Sequence, residues 1–168
     1  MTGRVILFGA TGYTGRLTAE AMTRAGLAPV LAGRSEDTLI DLVGDLAGPG
    51  PIDRAPTWRR ADVADPATVR ALLSDPGDVL VSTVGPFGEL GRPALDAAID
   101  AGCAYVDSTG ESPFIRDVFV KHAPRARASG ARLLTAFGYD YVPGNLAAAL
   151  AIRDARDTAS GPVTVEVG

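Results

Sequence analysis

The sequence predicts an α/β fold, a doubly wound parallel sheet with helices on both of its faces. Three observations predict it. Short apolar runs alternate with longer amphipathic stretches along the chain. The runs are continuous rather than alternating, as parallel strands covered on both sides require. The first run closes on a glycine-rich turn that leads straight into a helical pattern, the opening of a βαβ unit. In order, Val5, Ile6, Leu7 and Phe8 form the first strand, ended by Gly9. Residues 13–25 carry Leu17, Ala21 and Ala25 at helical spacing, with Gly26 as the stop. Residues 29–32 form the second strand. Ser35 is placed to cap a helix over 38–46, with Glu36 and Asp37 where the helix dipole favours negative charge. Gly48-Pro49-Gly50-Pro51 is a turn, and 57–61 a third strand.

The cycle then repeats. Asp65 caps and Pro66 opens a short helix over 67–73. Residues 78–84 form a strongly apolar fourth strand. A helix over 93–101 ends at Gly102, and 104–107 is the fifth strand. Ser112-Pro113 opens a further helix. Pro124 must kink or split it, because proline lacks an N–H and collides with the preceding turn. Residues 132–136 form the sixth strand and 144–153 a helix. Residues 163–167, Val-Thr-Val-Glu-Val, alternate with period two and read as a half-exposed strand, able to pair with another copy of the chain.

Composition narrows the function. The 168 residues make about one domain, and 46% hydrophobic with 21% charged is the balance of a folded core that needs no staple. Net charge is −4, with eight basic and ten acidic residues in each half. No basic stripe exists to meet a nucleic acid backbone. No apolar run is long enough to span a membrane, and the N-terminus lacks the apolar core of a signal peptide. The single cysteine, Cys103, cannot form an internal disulfide, so a cytoplasmic location is expected. No His, Cys, Asp or Glu cluster has metal-ligand spacing, and no metal is expected. Cys103 reads as a packed thiol, and His122 as a surface or partly packed residue away from the strand tips.

The chemistry lies in the loops that follow the strands. Gly9-Ala10-Thr11-Gly12-Tyr13-Thr14-Gly15 joins the first strand to the first helix. Each glycine has a task if a dinucleotide binds. Gly9 permits the tight turn, Gly12 lets the backbone approach the pyrophosphate, and Gly15 lets the helix pack on the sheet. Amides at the helix start, from Tyr13 and Thr14, then face phosphate. In this context the fold is of the Rossmann type. The second strand ends in Arg34 and Ser35. Arginine here suits the 2′-phosphate of NADP(H), whereas an acidic residue would suit the ribose hydroxyl of NAD. A solvated surface arginine is the plainer alternative. Asp62, ending the third strand, is placed beside adenine or else simply forms a turn. Thr83, Val84, Gly85, Pro86 and Phe87 follow the fourth strand at the switch point of the sheet, where they can cover the pyrophosphate and nicotinamide ribose.

These residues resemble the NADP-binding domain of saccharopine dehydrogenase-like oxidoreductases, and within them the branch that includes trans-acting enoyl reductases. The matching segments are Gly9-Ala-Thr-Gly-Tyr-Thr-Gly15, Leu31-Ala-Gly-Arg-Ser35, Ser82-Thr-Val-Gly-Pro-Phe87, Tyr105-Val-Asp-Ser-Thr-Gly-Glu111 and Phe137-Gly-Tyr-Asp-Tyr-Val-Pro143. The resemblance implies a cofactor domain over residues 1–155. It implies that 156–168 form a linker and the first strand of a second, substrate-binding domain. It further implies hydride transfer between NADPH and a C=C or C=N bond of a small-molecule or acyl substrate. Candidates for proton delivery are Asp107 and Glu111 at the tip of the fifth strand, and Tyr139, Asp140 and Tyr141 in the loop after the sixth. Glu111 can instead bind loop amides, and Asp140 can instead cap the next helix. A non-catalytic NADP(H) sensor is the rival reading. A short-chain reductase is disfavoured, because the sole lysine, Lys121, has Asp117 rather than tyrosine four residues before it.

Overall fold

A computed structural model describes residues 3–47, 55–139, 141–156 and 161. The Gly48–Pro51 turn, Asp140 and the strand expected over 163–167 lie outside the described residues. Six parallel strands make one sheet: β1 (Val5–Phe8), β2 (Val30–Gly33), β3 (Thr57–Arg60), β4 (Val79–Ser82), β5 (Ala104–Asp107) and β6 (Arg132–Leu134). Their spatial order is β3-β2-β1-β4-β5-β6. The chain therefore winds outward in both directions from the β1–β4 pair, which register Leu7 with Val81 and Phe8 with Ser82.

Side chains alternate across the strands, so the sheet has two cores. Ile6, Phe8, Ala32, Leu80 and Tyr105 join one cluster. Leu7 and Leu31 join the other. On the second face lie α1 (Tyr13–Arg24) and α2 (Glu36–Leu46), which contribute Ala19, Leu39 and Leu42. On the first lie α3 (Pro66–Arg70), a short α4 (Phe87–Leu90), α5 (Arg92–Asp100), α6 (Ser112–Asp117) and α7 (Ala123–Ser129). Helices on both faces are thus confirmed. The last helix, α8 (Val142–Arg156), has no fully buried residue.

Several local expectations change. The row Leu17, Ala21, Ala25 is not the buried face of α1. Gly15 and Ala19 are buried, while Leu17 is 48% exposed. A side chain at position 15 has no room, so the helix turns its smallest residues to the sheet. The edge strands are not the apolar runs of a doubly covered sheet: β3 reads Thr-Trp-Arg-Arg and is mostly exposed, as is β6. Among the described residues each has a neighbouring strand on one side only. Ser35 holds the N-cap position of α2, but its hydroxyl pairs with Thr38 Oγ1 at 2.8 Å rather than with a backbone amide. Asp65 does cap α3, accepting from the Ala67 amide. Pro124 splits its helix as expected. A π-helical turn, Val118–His122, separates α6 from α7 and absorbs the missing donor. That turn carries His122 inward, where it is buried rather than at the surface. Burial holds its imidazole below the usual value, against the pull of Asp96. Cys103 is buried, as expected for a packed thiol.

The lower edge of the sheet is locked by charge. Asp78, fully buried ahead of β4, accepts from the Arg4 backbone at 2.9 Å, from Arg4 Nη2 at 2.6 Å, and from the Ser74 and Asp75 amides. Burial alone would raise its pKa. The hydrogen bonds from Arg4 and Ser74 and the guanidinium charge outweigh burial and hold it at about 2, against 3.8 ordinarily. A depressed carboxyl stabilises the fold while ionised. This contribution is complete above about pH 4 and is lost as pH falls towards about 2. Asp78→Asn should cost about 2 kcal/mol at neutral pH, with the gap to wild type closing over that acid window. Urea denaturation across pH would show it; a gap independent of pH would contradict it.

Candidate functional site

The carboxyl ends of the strands open into a cleft of about 280 Å3. Gly9 turns the chain off β1 with φ +88°, where a Cβ would meet Thr83 Oγ1 at 2.8 Å. The Gly9 and Ala10 amides bond to the Ala32 carbonyl, tying the turn to β2. From there the chain enters α1 with Gly12 as its N-cap and no side chain capping it. The helix therefore presents first-turn amides and the positive end of its dipole towards the strand ends.

The three loop glycines differ in what the fold asks of them. A Cβ on Gly15 would lie 2.0 Å from the Gly9 carbonyl oxygen, so α1 can cross the turn only with glycine there. A Cβ on Gly12 would meet nothing nearer than that same oxygen at 3.4 Å. Gly12 is exposed and has an ordinary φ of −74°. The protein's own packing does not demand a glycine there, which leaves room at the loop surface for a ligand.

On the other side of the switch point, the Thr83 hydroxyl donates towards the Phe8 and Gly9 carbonyls, each at 3.2 Å, and clamps the β4 loop to the β1 turn. The cleft then gathers Gly9, Thr11, Gly12, Arg34, Asp62, Thr83, Val84 and Gly85 from four strand ends. Of these only Arg34 and Asp62 carry charge. The Asp62 carboxylate also accepts from the Ala64 amide at 3.0 Å, so the residue both forms a turn and lines the cleft.

Six expected residues do not line it. Tyr13 is 85% exposed, and Thr14 lies beside it on the first turn of α1. Gly15 is packed beneath α1, Ser35 is held by Thr38, and Phe87 is buried against Phe114 at a centroid distance of 5.8 Å. Pro86 links Gly85 to that anchor. Leu90 of α4 lines the cleft and was missed. Its signal is the apolar i, i+3 pair Phe87 and Leu90 in a stretch otherwise read as loop.

Of the candidates for proton delivery, Asp107, Glu111, Tyr139 and Tyr141 do not line the cleft, and Asp140 lies outside the described residues. Both Glu111 carboxylate oxygens accept backbone amides, Oε1 from Phe87 at 2.6 Å and Oε2 from Gly88 at 2.8 Å. The loop-amide alternative is thus the arrangement found. Tyr139 is 89% exposed. Lys121 pairs with Asp117 at 2.7 Å on the far flank. Behind the strand tips, buried Asp107 accepts from the Thr109 amide, the Thr135 hydroxyl and the Ala136 amide. Burial first, and then the Asp107 charge, push the neighbouring Tyr105 phenol well above its ordinary value. Among the described residues no group of three His, Cys, Asp or Glu could hold a metal, and no helix is long and apolar enough to cross a membrane.

Residues 5–134 match the family described as the saccharopine dehydrogenase NADP binding domain. A trans-acting enoyl reductase of Mycobacterium leprae is 38% identical over 146 residues, covering 84% of this chain and 34% of that protein. A Mycobacterium tuberculosis protein, provisionally named a trans-acting enoyl reductase, is 37% identical over 164 residues, 95% of this chain and 38% of its own length. The chain thus spans little more than a third of these relatives. Among solved structures, saccharopine dehydrogenase (L-Glu forming) from Saccharomyces cerevisiae superposes with a TM-score of 0.71 at 18% identity, over 92% of this chain and 32% of that one. A β-ketoacyl-[ACP] reductase from Bacteroides thetaiotaomicron gives 0.57 at 14% identity, over 80% and 76%. At such identities the likeness is one of fold.

The glycine geometry separates folding from binding. Gly15→Ala should destabilise the domain by about 3 kcal/mol, because backbone rather than a side chain blocks the new methyl. Gly12→Ala should stay within about 0.5 kcal/mol of wild type. Chemical denaturation of the two variants would check this, and equal losses would refute it.

Proposed function

Because the chain belongs to the saccharopine dehydrogenase NADP-binding family, whose cofactor is NADP(H), we propose that the dinucleotide lies along the cleft at the carboxyl edge of the sheet. One observation carries this reading. The cleft collects residues from the ends of β1, β2, β3 and β4 around a glycine that the fold itself does not require. The pyrophosphate rests over Gly9, Thr11 and Gly12 at the start of α1, with Tyr13 and Thr14 on the helix's first turn. Arg34 takes the 2′-phosphate, Asp62 lies beside the adenine, and Thr83, Val84 and Gly85 border the nicotinamide ribose. When bound, the cofactor supplies a hydride. This chain's residues bind it, orient it and limit water on the buried side.

The acceptor is a C=C or C=N bond of a small-molecule or acyl substrate, and the whole protein is an oxidoreductase. Support comes from the relatives named for enoyl reduction, which are much longer than this chain. Residues 1–155 form the cofactor domain in this reading, and the part that presents the acceptor belongs to the longer protein. Glu111 is occupied by amides and Tyr139 points to no cleft contact, so neither is assigned proton delivery.

The test is cofactor discrimination. A charge-assisted contact is worth about 1.5–3 kcal/mol, or roughly 10- to 150-fold in affinity. Arg34→Ala should weaken NADPH binding by that factor and leave NADH nearly unchanged, as read by calorimetry. Gly12→Val should abolish binding of both cofactors while the chain stays folded. Equal losses for the two cofactors in Arg34→Ala would overturn the 2′-phosphate assignment.

A further inference from the structure

We infer that Glu111 is a positioning residue for the cofactor: it holds the loop after β4 in its binding conformation, and Asp107 anchors Glu111 through Thr109. The inference rests on the placement of the dinucleotide proposed above. It starts from a chain of hydrogen bonds that crosses from β6 to the cleft. Asp107, at the tip of β5, is 1% exposed, and its carboxylate accepts from the Thr135 hydroxyl at 2.9 Å and the Ala136 amide at 3.0 Å. Ala136 has a φ of 60°, a left-handed conformation uncommon for alanine. Asp107 Oδ1 also accepts from the Thr109 amide at 3.0 Å. Thr109, equally buried, offers its hydroxyl oxygen to the Glu111 amide at 3.0 Å. Glu111 then reaches across to the Phe87 and Gly88 amides.

The last link is the informative one. Phe87 and Gly88 open α4, a helix of only four residues with no side-chain cap of its own. A segment so short does not hold itself. Two charge-assisted bonds from a residue 23 and 24 positions along the chain fix its start. Immediately before that start lie Thr83, Val84 and Gly85, which line the cleft, and at its end lies Leu90, which lines it too. Glu111 itself does not line the cleft. It therefore acts on the cofactor through the loop, by keeping the binding conformer populated before the ligand arrives.

The expected consequence follows from population. If the brace is lost and the competent loop conformer falls to about a tenth, the apparent Kd for NADPH rises about tenfold. Only the half of the dinucleotide that touches this loop is affected. Adenosine 2′,5′-bisphosphate, which carries the adenine and 2′-phosphate but no nicotinamide ribose, reaches only the Arg34 and Asp62 end.

Calorimetry on the whole chain with both ligands tests this. Glu111→Gln keeps the volume but turns an NH2 group towards one of the two amides. It should weaken NADPH about tenfold and change the bisphosphate less than twofold. Exchange of the Phe87 and Gly88 amide protons should speed up in the same variant. Gly88→Ala approaches from the other side, since its Cβ would stand 3.0 Å from Glu111 Oε2. It should show the same selectivity with a smaller loss, and it decides the matter if Glu111→Gln fails to fold. Unchanged NADPH binding, or equal weakening of both ligands, would overturn the brace while leaving the cofactor site intact. Wild-type chain that binds the bisphosphate and NADPH equally well would also overturn it. Wild-type chain that binds neither would remove the cofactor reading on which it rests.

Discussion

The rest of the structure depends on one close approach, the crossing of α1 over the turn that ends β1. The Gly9 carbonyl sits where a side chain on Gly15 would have to be. With no Cβ in the way, α1 begins almost on top of the strand end instead of standing off it. Its N-cap Gly12 then lies at the same opening that β2, β3 and β4 reach at their carboxyl ends. The position of the site is thus a packing consequence, settled by volume before any ligand chemistry enters.

The two edges of the sheet use buried carboxylates differently. Asp78 at the lower edge is saturated by Arg4 and two backbone amides from the turn before β4. It ties the start of β4 to the residue that leads into β1, the two central strands. Asp107 at the upper edge is saturated as well, yet every group it holds belongs to a segment leaving the sheet towards the site side. Burying a carboxylate is costly unless donors surround it, and both positions meet that condition. What differs is the cargo. One carboxylate fastens the two central strands, and the other fixes the segments that follow β5 and β6.

Charge pairing on the flank formed by α5, the π-helical turn and α7 is of a third kind. Asp96 accepts from Arg92 and Arg125, and Arg125 also reaches Asp100. These pairs are largely exposed and contribute little each. They lie over His122, whose Nδ1 stands 3.8 Å from Asp96. The π turn that buries this imidazole follows from Pro124, which cannot donate to the turn before it.

The sequence by itself determined the six strands of the sheet, their parallel winding, the glycine turn and eight of the residues that line the cleft. Each of these follows from local rules: continuous apolar runs for doubly covered strands, glycine where backbone must pass backbone, and chemistry at strand ends. Gly9, Thr11, Gly12, Arg34, Asp62, Thr83, Val84 and Gly85 were all legible for that reason. Tertiary structure alone decided which face of α1 is buried, because Leu17 and Ala19 differ in what the sheet leaves room for, and periodicity sees only apolarity. It alone gave Glu111 its partners, 23 and 24 residues away, since a carboxylate near a strand tip reads the same whether it meets a substrate or an amide. It alone turned His122 inward and made a four-residue helix out of a loop at Phe87. For α1 and for Glu111 the deciding contact lies on another element of the fold, which local patterns cannot carry.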